Sequence, residues 1–149
     1  MVYNFRAMKQ KTITVLVGGC FDILHYGHIR FLKKAKTLGN YLVVAIESDI
    51  RVRELKGKGR PIHTQKQRKE ILESLKFVDK VIVLKDQMVE QDYFNLVQKL
   101  KPSIIAITQG DSIKNKKRKQ ANEIGAKVVE IPKFQSTSTS RIIKILNTD

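Results

Sequence analysis

The sequence predicts an α/β protein, a doubly wound parallel sheet with helices on both faces that folds as a single domain. Short apolar runs rich in β-branched residues alternate along the chain with stretches in which apolar residues recur at helical spacing. Such alternation builds strand–helix–strand units, whose right-handed crossovers put helices on both faces of a parallel sheet. The chain of 149 residues, 42% hydrophobic and 29% charged, has the size and composition of one globular domain with a buried core.

Strands and helices are predicted in turn along the chain, each from its own local pattern. Runs of Val, Ile and Leu predict strands at 12–17, 41–46, 80–83, 103–107 and 127–131. Apolar residues at helical spacing predict helices at 28–38, 65–75, 91–100, 116–124 and 140–146. The basic segment at 51–62, RVRELKGKGRPI, contains glycines and is predicted to be a loop. Residues 1–11 are predicted to be a loose N-terminal extension of a domain at 12–149.

The remaining composition argues against several classes of protein. No stretch approaches the roughly 18 consecutive apolar residues of a transmembrane helix, so no membrane span is predicted. The first eleven residues contain no apolar segment of the kind that a secretory signal needs. Cys20 is the single cysteine, which excludes an intramolecular disulfide and favours a cytoplasmic location.

The net charge of +15 predicts an anionic partner, which can be nucleic acid, a membrane surface or a phosphorylated substrate. Five of the six residues at 114–119 are basic. The favoured interpretation of this run is a solvated helix face or loop. RNA binding is the alternative, but no RNA-binding motif is recognisable and few aromatic residues are available for base stacking, so a nucleic acid partner is not expected.

The segment at 15–28, VLVGGCFDILHYGH, carries the clearest chemical signal. It predicts a strand, a glycine turn and a helix, with His25 and His28 where the helix begins. Unpaired backbone N–H groups and the positive end of the dipole make such a helix start an anion site. Imidazoles beside it can donate hydrogen bonds to a phosphate, and Gly27 lets the ligand approach the backbone closely. Two of the three histidines in the chain lie in this motif.

A second candidate anion site lies at 136–143, STSTSRII, where hydroxyl residues precede a predicted helix. One hydroxyl would be sufficient as an N-cap. Several hydroxyls together with the N–H groups of the helix start can bind a phosphate, and Ser138, Thr139 and Ser140 are the candidates. Lys56 and Arg60 are the basic residues of the 51–62 segment favoured for phosphate contacts.

The motif Gly-Cys-Phe-Asp at 19–22, followed by His-x-Gly-His at 25–28, resembles the signature of the nucleotidylyltransferases with an HxGH motif. It is most similar to the glycerol-3-phosphate cytidylyltransferase and heptose-phosphate adenylyltransferase branches. Those relatives have Gly-Thr-Phe-Asp, so Cys20 is a departure. The resemblance covers nearly all of 12–146. It implies a Rossmann-like fold and transfer of a nucleoside monophosphate from CTP or ATP to a phosphorylated acceptor, such as glycerol phosphate or a sugar phosphate, with release of pyrophosphate.

The resemblance also implies a role for individual residues. His25, His28 and Lys56 would be catalytic. The nucleotide would be bound by Gly19, Cys20, Phe21, His25, Gly27, His28, Gly110, Asp111, Lys133, Ser138, Thr139 and Ser140. The acceptor would be bound by Asp22, Lys56, Arg60 and Arg68.

Two departures and three open roles accompany these assignments. Ser112 stands where relatives have an aromatic residue after Gly-Asp, and Lys133 stands where the cytidylyltransferases have Arg. Asp22 can orient a histidine, help a metal or serve a structural role. Arg68 can form a structural ion pair or reach the active site, and Asp111 can cap a turn or recognise the nucleotide.

The sequence contains no covalent nucleophile with its base, which favours direct in-line transfer. Mg²⁺ is expected on the nucleotide phosphates, because this ion keeps several waters and takes few protein ligands. No His/Cys cluster has the spacing of structural zinc. Two alternatives stay open: an FMN adenylyltransferase that makes FAD, and a basic RNA-binding module without catalysis. Dimerisation is common among relatives, so a homodimer is possible.

Overall fold

The computed structural model describes residues 10–135 and 138–147. Its strands are β1 (Thr14–Gly19), β2 (Tyr41–Ile46), β3 (Lys80–Val83), β4 (Ile104–Thr108) and β5 (Lys127–Ile131). Its helices are α1 (Tyr26–Lys36), α2 (Asp49–Lys56), α3 (Gln65–Glu73), α4 (Glu90–Leu100), α5 (Lys114–Ile124) and α6 (Thr139–Leu146). Most of the extension predicted at 1–11, and residues 136 and 137 of the hydroxyl segment, lie outside the described residues.

The strands form one parallel sheet in the order β3-β2-β1-β4-β5. The chain winds outward from β1 in one direction and then outward from β4 in the other, so the predicted doubly wound, Rossmann-like α/β fold is confirmed. β1 pairs with β2 along its whole length, from Thr14↔Tyr41 to Gly19↔Ile46. Its pairing with β4 is confined to Val15↔Ile104 and Leu16↔Ile105. The order therefore reverses between β1 and β4, which is where open α/β sheets bind their ligands.

Each face of the sheet packs against its own pair of helices. Val15 and Val17 of β1 point to one face, where Leu32 of α1 and Leu72 of α3 complete a core cluster. Leu16 points to the other face. There the side chains of β2 and β4 pack with residues of α4 and α5. Because the central strands are covered on both faces, they read as continuous apolar runs in the sequence. Each fully buried aliphatic side chain stabilises the fold by about 1.5–3 kcal/mol.

The predicted boundaries hold to within about two residues, with one informative difference at β1. The predicted strand ends at residue 17, but Gly18 and Gly19 continue it in register with Ala45 and Ile46. A glycine has no Cβ to resist the close packing of the loop that follows. A Cβ on Gly19 would lie 2.9 Å from the ring of Phe21, so this position favours glycine.

The prediction of a loop throughout 51–62 is wrong for its first half. Residues 49–56 form helix α2, and the loop runs only from Gly57 to the N-cap of α3. Ser48 caps α2 by accepting a hydrogen bond from the Arg51 N–H at 3.1 Å. Val52 is the buried residue of this helix, so the sequence shows no apolar periodicity there. Gly57, with φ of +97°, ends the helix in a conformation that residues with a Cβ rarely adopt.

Candidate active site

A cleft of about 730 Å³ lies at the carboxyl ends of the strands, and we call it the switch-point cleft. Most of the site residues predicted from the sequence line it. They are Gly19, Cys20, Phe21, Asp22, His25, His28, Lys56, Arg60, Asp111, Ser138, Thr139 and Ser140. Four predicted residues, Gly27, Arg68, Gly110 and Lys133, are not among its lining residues.

The two histidines form a stacked pair in this cleft. Their ring centroids are 3.8 Å apart with an interplanar angle of 25°, and the Phe21 ring lies 5.2 Å from that of His28. Burial lowers the pKa of His28 to about 4, and the neighbouring His25 adds to the effect. Burial also lowers the pKa of His25. At pH 7 the pair is therefore neutral and presents imidazole N–H donors rather than cations.

Local structure places this pair at a helix start. His25 is the N-cap of α1 and has extended backbone angles, and its side chain makes no capping hydrogen bond. The Nδ1 atom of His28 is buried and has no hydrogen-bond partner of normal geometry. The Ile23 backbone acts to raise the pKa of His28, but burial outweighs it. The N–H groups of the first turn of α1 thus lie beside two imidazoles, an arrangement suited to a phosphate.

Asp22 and Arg60 form a buried ion pair in the lining of the cleft, and their contact with an acceptor stays a prediction. Arg60 Nε donates to the Asp22 carboxylate at 2.6 Å, and Arg60 is 8% exposed. The same carboxylate accepts the N–H groups of Ile62 at 2.8 Å and His63 at 2.9 Å. Burial opposes ionisation of Asp22, but these N–H groups and Arg60 outweigh it and hold the pKa below its usual value. Of the roles open to Asp22, the structural one accounts for these contacts: it anchors the loop after α2 beside the cleft.

Arg68 is fully buried and ties several elements together. Its guanidinium donates to the backbone carbonyls of Cys20 at 2.6 Å, Glu47 at 2.8 Å and His63 at 3.1 Å. It also donates to the Asp49 carboxylate at 2.8 Å. The structural ion pair with Asp49 is present, and a contact of Arg68 with the substrate stays a prediction. The residue fixes the chain just after β1 and just after β2, and with it the floor of the cleft.

The start of α6 faces the same cleft as the start of α1. Ser138 is the N-cap and accepts from the Arg141 N–H at 3.3 Å. The Thr139 hydroxyl is buried and donates to the Ile23 carbonyl at 2.8 Å, which fixes α6 against the loop that precedes α1. Ser138 and Ser140 are exposed to the cleft. Two helix N-termini therefore converge on one volume.

Asp111 caps the turn that leads into α5 and also binds a lysine. It accepts from the Ile113 N–H at 2.8 Å and from Lys117 Nζ at 2.8 Å. Burial opposes its ionisation, but the hydrogen bonds from Lys117 and Ile113 outweigh this and lower the pKa. Gly110 has φ of +78°, and a Cβ there would lie 3.9 Å from Lys133 Nζ. On the β4 side of the cleft, the charge of Lys117 is therefore balanced by Asp111.

The basic run at 114–119 lies wholly within helix α5, and most of its charges have partners. Lys114 and Arg118 contact Glu130, and Lys116 contacts Glu90 at 3.3 Å. Lys116 and Lys117 also line the cleft. Two lysines of the run therefore belong to the lining of the cleft.

Two residues of the cleft, Glu47 and Tyr93, escaped the sequence analysis. The Tyr93 hydroxyl lies 3.1 Å from both carboxylate oxygens of Glu47. Burial raises the pKa of Glu47, and burial together with the Glu47 charge raises the pKa of Tyr93 to about 12. The partners are 46 residues apart, and neither belongs to a motif, so no local signal marks them.

The cleft also has an apolar part, which we call the apolar chamber. It lies between the sheet and α4, and its walls are Leu84, Met88, Leu96, Val97 and Ile105.

Among the described residues, no group of three or more His, Cys, Asp or Glu side chains is placed to hold a metal ion. Within the same part of the chain, no helix is long and apolar enough to cross a bilayer.

The fold and the cleft together define a class of protein. The family model for cytidylyltransferase-like domains matches residues 16–145, so the chain belongs to this family and is a nucleotidyltransferase. Among curated relatives, the FAD synthase of Thermococcus sibiricus is 42% identical over 147 residues, which cover 94% of this chain and 97% of the relative.

Other relatives are more distant or match only in part. The bifunctional protein HldE of Campylobacter concisus is 37% identical over 142 residues, which cover 93% of this chain but 28% of HldE. Among solved structures, a lipopolysaccharide core biosynthesis protein from Thermoplasma volcanium superposes with a TM-score of 0.72 and 32% identity, over 84% of this chain and 100% of that one.

Proposed function

We propose that this chain is an FMN adenylyltransferase, which joins AMP from ATP to FMN and so makes FAD. The observation that carries the proposal is the apolar chamber, which opens into a cleft otherwise suited to phosphates. FMN needs both environments, since it has a flat tricyclic ring at one end and a phosphate at the other. Glycerol phosphate and sugar phosphates have no apolar ring to fill the chamber. Similarity to an FAD synthase along nearly the whole of both chains supports the same choice.

The chemistry is an in-line displacement at phosphorus. A phosphate oxygen of FMN attacks the α-phosphorus of ATP, the bond from that phosphorus to the bridging oxygen breaks, and pyrophosphate leaves with the electron pair. The attacking phosphate is largely ionised near pH 7, so no general base is needed. The enzyme therefore acts by positioning the reactants and stabilising the developing charge.

The cleft residues supply this stabilisation. His25 and His28 donate hydrogen bonds to the oxygens at the α-phosphorus, next to the start of α1. The start of α6, with Ser138 and Ser140, holds the rest of the triphosphate. Lys56 is exposed and lines the cleft, so it is free to neutralise the phosphate of FMN. Arg60 acts through its neighbours, since its Nε donates to Asp22 at 2.6 Å and its Nη1 to the Ser140 hydroxyl at 3.5 Å.

Mg²⁺ enters this proposal as a companion of ATP. No group of three or more His, Cys, Asp or Glu side chains among the described residues is placed to hold the ion. The ATP phosphates would therefore hold it, and the cleft would bind the complex of Mg²⁺ with ATP. The ion would neutralise charge on the β- and γ-phosphates as pyrophosphate leaves. ATP rather than CTP follows from the product, because FAD contains AMP. We place the reaction in the cytoplasm.

A sugar phosphate acceptor is the second candidate. It is favoured by the HldE relatives and by the segment Leu-Lys-Gly-x-x-Arg-Pro-Ile at 55–62, which is similar to the heptose-phosphate adenylyltransferase pattern. Arg60 is buried, and of the two exposed lysines of that segment, Lys56 and Lys58, Lys56 lines the cleft. A sugar would leave the apolar chamber empty, which is why we place it second.

Pyrophosphate release separates these candidates. With Mg²⁺, ATP or CTP is offered with FMN, heptose phosphate, glycerol phosphate or phosphocholine. We expect release with ATP and FMN alone.

His28→Ala should lower kcat by about 10²–10³-fold, whereas His63→Ala, which changes the histidine that does not line the cleft, should retain activity. Lys56→Ala should raise the KM for FMN, whereas Lys58→Ala on the neighbouring loop should not. Release with a sugar phosphate and none with FMN would refute the proposal.

A further inference from the structure

Glu47 differs from the other carboxylates of the switch-point cleft. Asp22, Glu90 and Asp111 are paired with Arg60, Lys116 and Lys117, whereas Glu47 has no ion pair with a described residue. Arg51, Lys56, Lys116 and Lys117 line this cleft and suit phosphates. A carboxylate repels phosphates, so the place that Glu47 occupies is one where a neutral, hydrogen-bond-donating part of a ligand is favoured.

The backbone fixes where this carboxylate lies. Glu47 directly follows Ile46, the last residue of β2, and its N–H donates to the Gly19 carbonyl at 3.1 Å. Its own carbonyl accepts from Arg68. The side chain is therefore held one residue beyond the strand, at the level of the glycine turn that leads to the histidine pair.

Its side-chain contacts leave acceptor capacity unused. Tyr93 donates the one hydrogen bond that the carboxylate receives among the described residues, and no cation there lies within ion-pair distance of it. A carboxylate has about four lone-pair sites. Tyr93 belongs to α4, whose Leu96 and Val97 are walls of the apolar chamber. The pair thus stands where the chamber meets the polar part of the cleft.

We infer that Glu47 determines specificity for the acceptor ring: its carboxylate accepts a hydrogen bond from the ring N–H of the flavin, and Tyr93 positions it. This inference rests on the proposed function. Oxidised isoalloxazine has a single ring N–H, at N3 between two carbonyls, and a carboxylate is its natural acceptor. The apolar walls hold the rest of the ring. A site built to pair such a group discriminates strongly against an analogue that lacks it.

The test compares FMN with 3-methyl-FMN, in which a methyl group replaces the N3 hydrogen. Binding is measured by quenching of flavin fluorescence, and turnover by pyrophosphate release with ATP. We expect the wild-type protein to bind and use FMN at least about 10-fold better than the methylated analogue. Glu47→Ala should raise the KM for FMN by about 10–100-fold, leave the KM for ATP unchanged and abolish the discrimination.

Two further variants separate positioning from structure. Tyr93→Phe keeps the ring but removes the hydroxyl, and should reduce the discrimination by a smaller factor, about 3–10-fold. Glu123→Ala removes an exposed glutamate outside the cleft and should behave as the wild type. Thermal unfolding midpoints of all variants are measured alongside.

The outcomes distinguish this inference from the proposed function. If the wild-type protein uses FMN but Glu47→Ala discriminates between the two flavins as the wild type does, the inference is wrong and the proposed function stands. A rise confined to the KM for ATP would assign Glu47 to the nucleobase and also overturn it. If FMN is neither bound nor used, the proposed function fails, and the inference fails with it.

Discussion

At the scale of single residues, burial favours the neutral form of the histidine pair, so acid should lower the free energy of unfolding. The pKa of His28 is about 4 in the folded protein, against about 6.5 in an unfolded chain. Between these values the unfolded state binds more protons, so the free energy of unfolding rises with pH in this window. The contribution of His28 is complete above pH 6.5 and is lost as the pH falls towards 4.

We therefore expect His28→Gln to lose less stability than the wild type when the pH falls from 6.5 to 4. The measurement is urea unfolding at several pH values, and the difference between the two proteins isolates this group from the carboxylates. His63→Gln, in the histidine outside the cleft, serves as the control. Parallel curves for wild type and His28→Gln would contradict the buried, neutral imidazole.

The Asp22–Arg60 pair gives a second prediction at this scale. Asp22→Ala removes the acceptor of Arg60 and of two backbone N–H groups, and leaves a guanidinium that is 8% exposed without its partner. We expect a loss of about 3–5 kcal/mol in the free energy of unfolding. Glu54→Ala, which breaks the exposed pair with Arg51, should cost less than about 1 kcal/mol. Equal effects in denaturant unfolding would show that burial does not set the strength of these pairs.

At the scale of elements, Arg68 joins α3 to the ends of β1 and β2. Its hydrogen bonds run to three separate segments, which contain Cys20, Glu47 with Asp49, and His63. We expect Arg68→Lys to destabilise the fold by about 3 kcal/mol or more, because one ammonium cannot reach acceptors arranged for a planar fork. Lys66→Ala, an exposed change on the same helix, should shift the unfolding midpoint little. Full stability of Arg68→Lys would show that charge alone suffices.

The same contacts explain which elements the sequence could predict. The sheet, the other helices and the histidine cluster could be predicted from local patterns, because the strand runs and the HxGH motif consist of consecutive residues. Helix α2 was missed because it buries one residue, Val52, and is otherwise polar. The sequence did not predict the contacts of Arg68 and Arg60, because their partners come from remote segments, as do those of the Glu47–Tyr93 pair. The spacing of residues along the chain does not predict contacts between such remote segments.

At the scale of the whole molecule, the net charge of +15 should guide anionic substrates to the cleft. Both ATP and FMN are anions, so we expect kcat/KM to fall several-fold between about 0.05 and 0.5 M salt. Lys116→Ala, at the cleft, should weaken this dependence more than Lys119→Ala, which lies on the same helix outside it. Steady-state rates across a salt series measure the effect. A kcat/KM that does not depend on salt would mean that the surface charge serves another partner.

We expect this cleft to move AMP from ATP directly to FMN. The most direct measurement follows the label of ATP carrying ³²P at the α-phosphorus, incubated with Mg²⁺, FMN and the protein. We predict that the label appears in FAD, that the pyrophosphate is unlabelled, and that no label stays on the protein. Label in a sugar-nucleotide product when sugar phosphates are supplied, with none in FAD, would contradict the transfer of AMP to FMN.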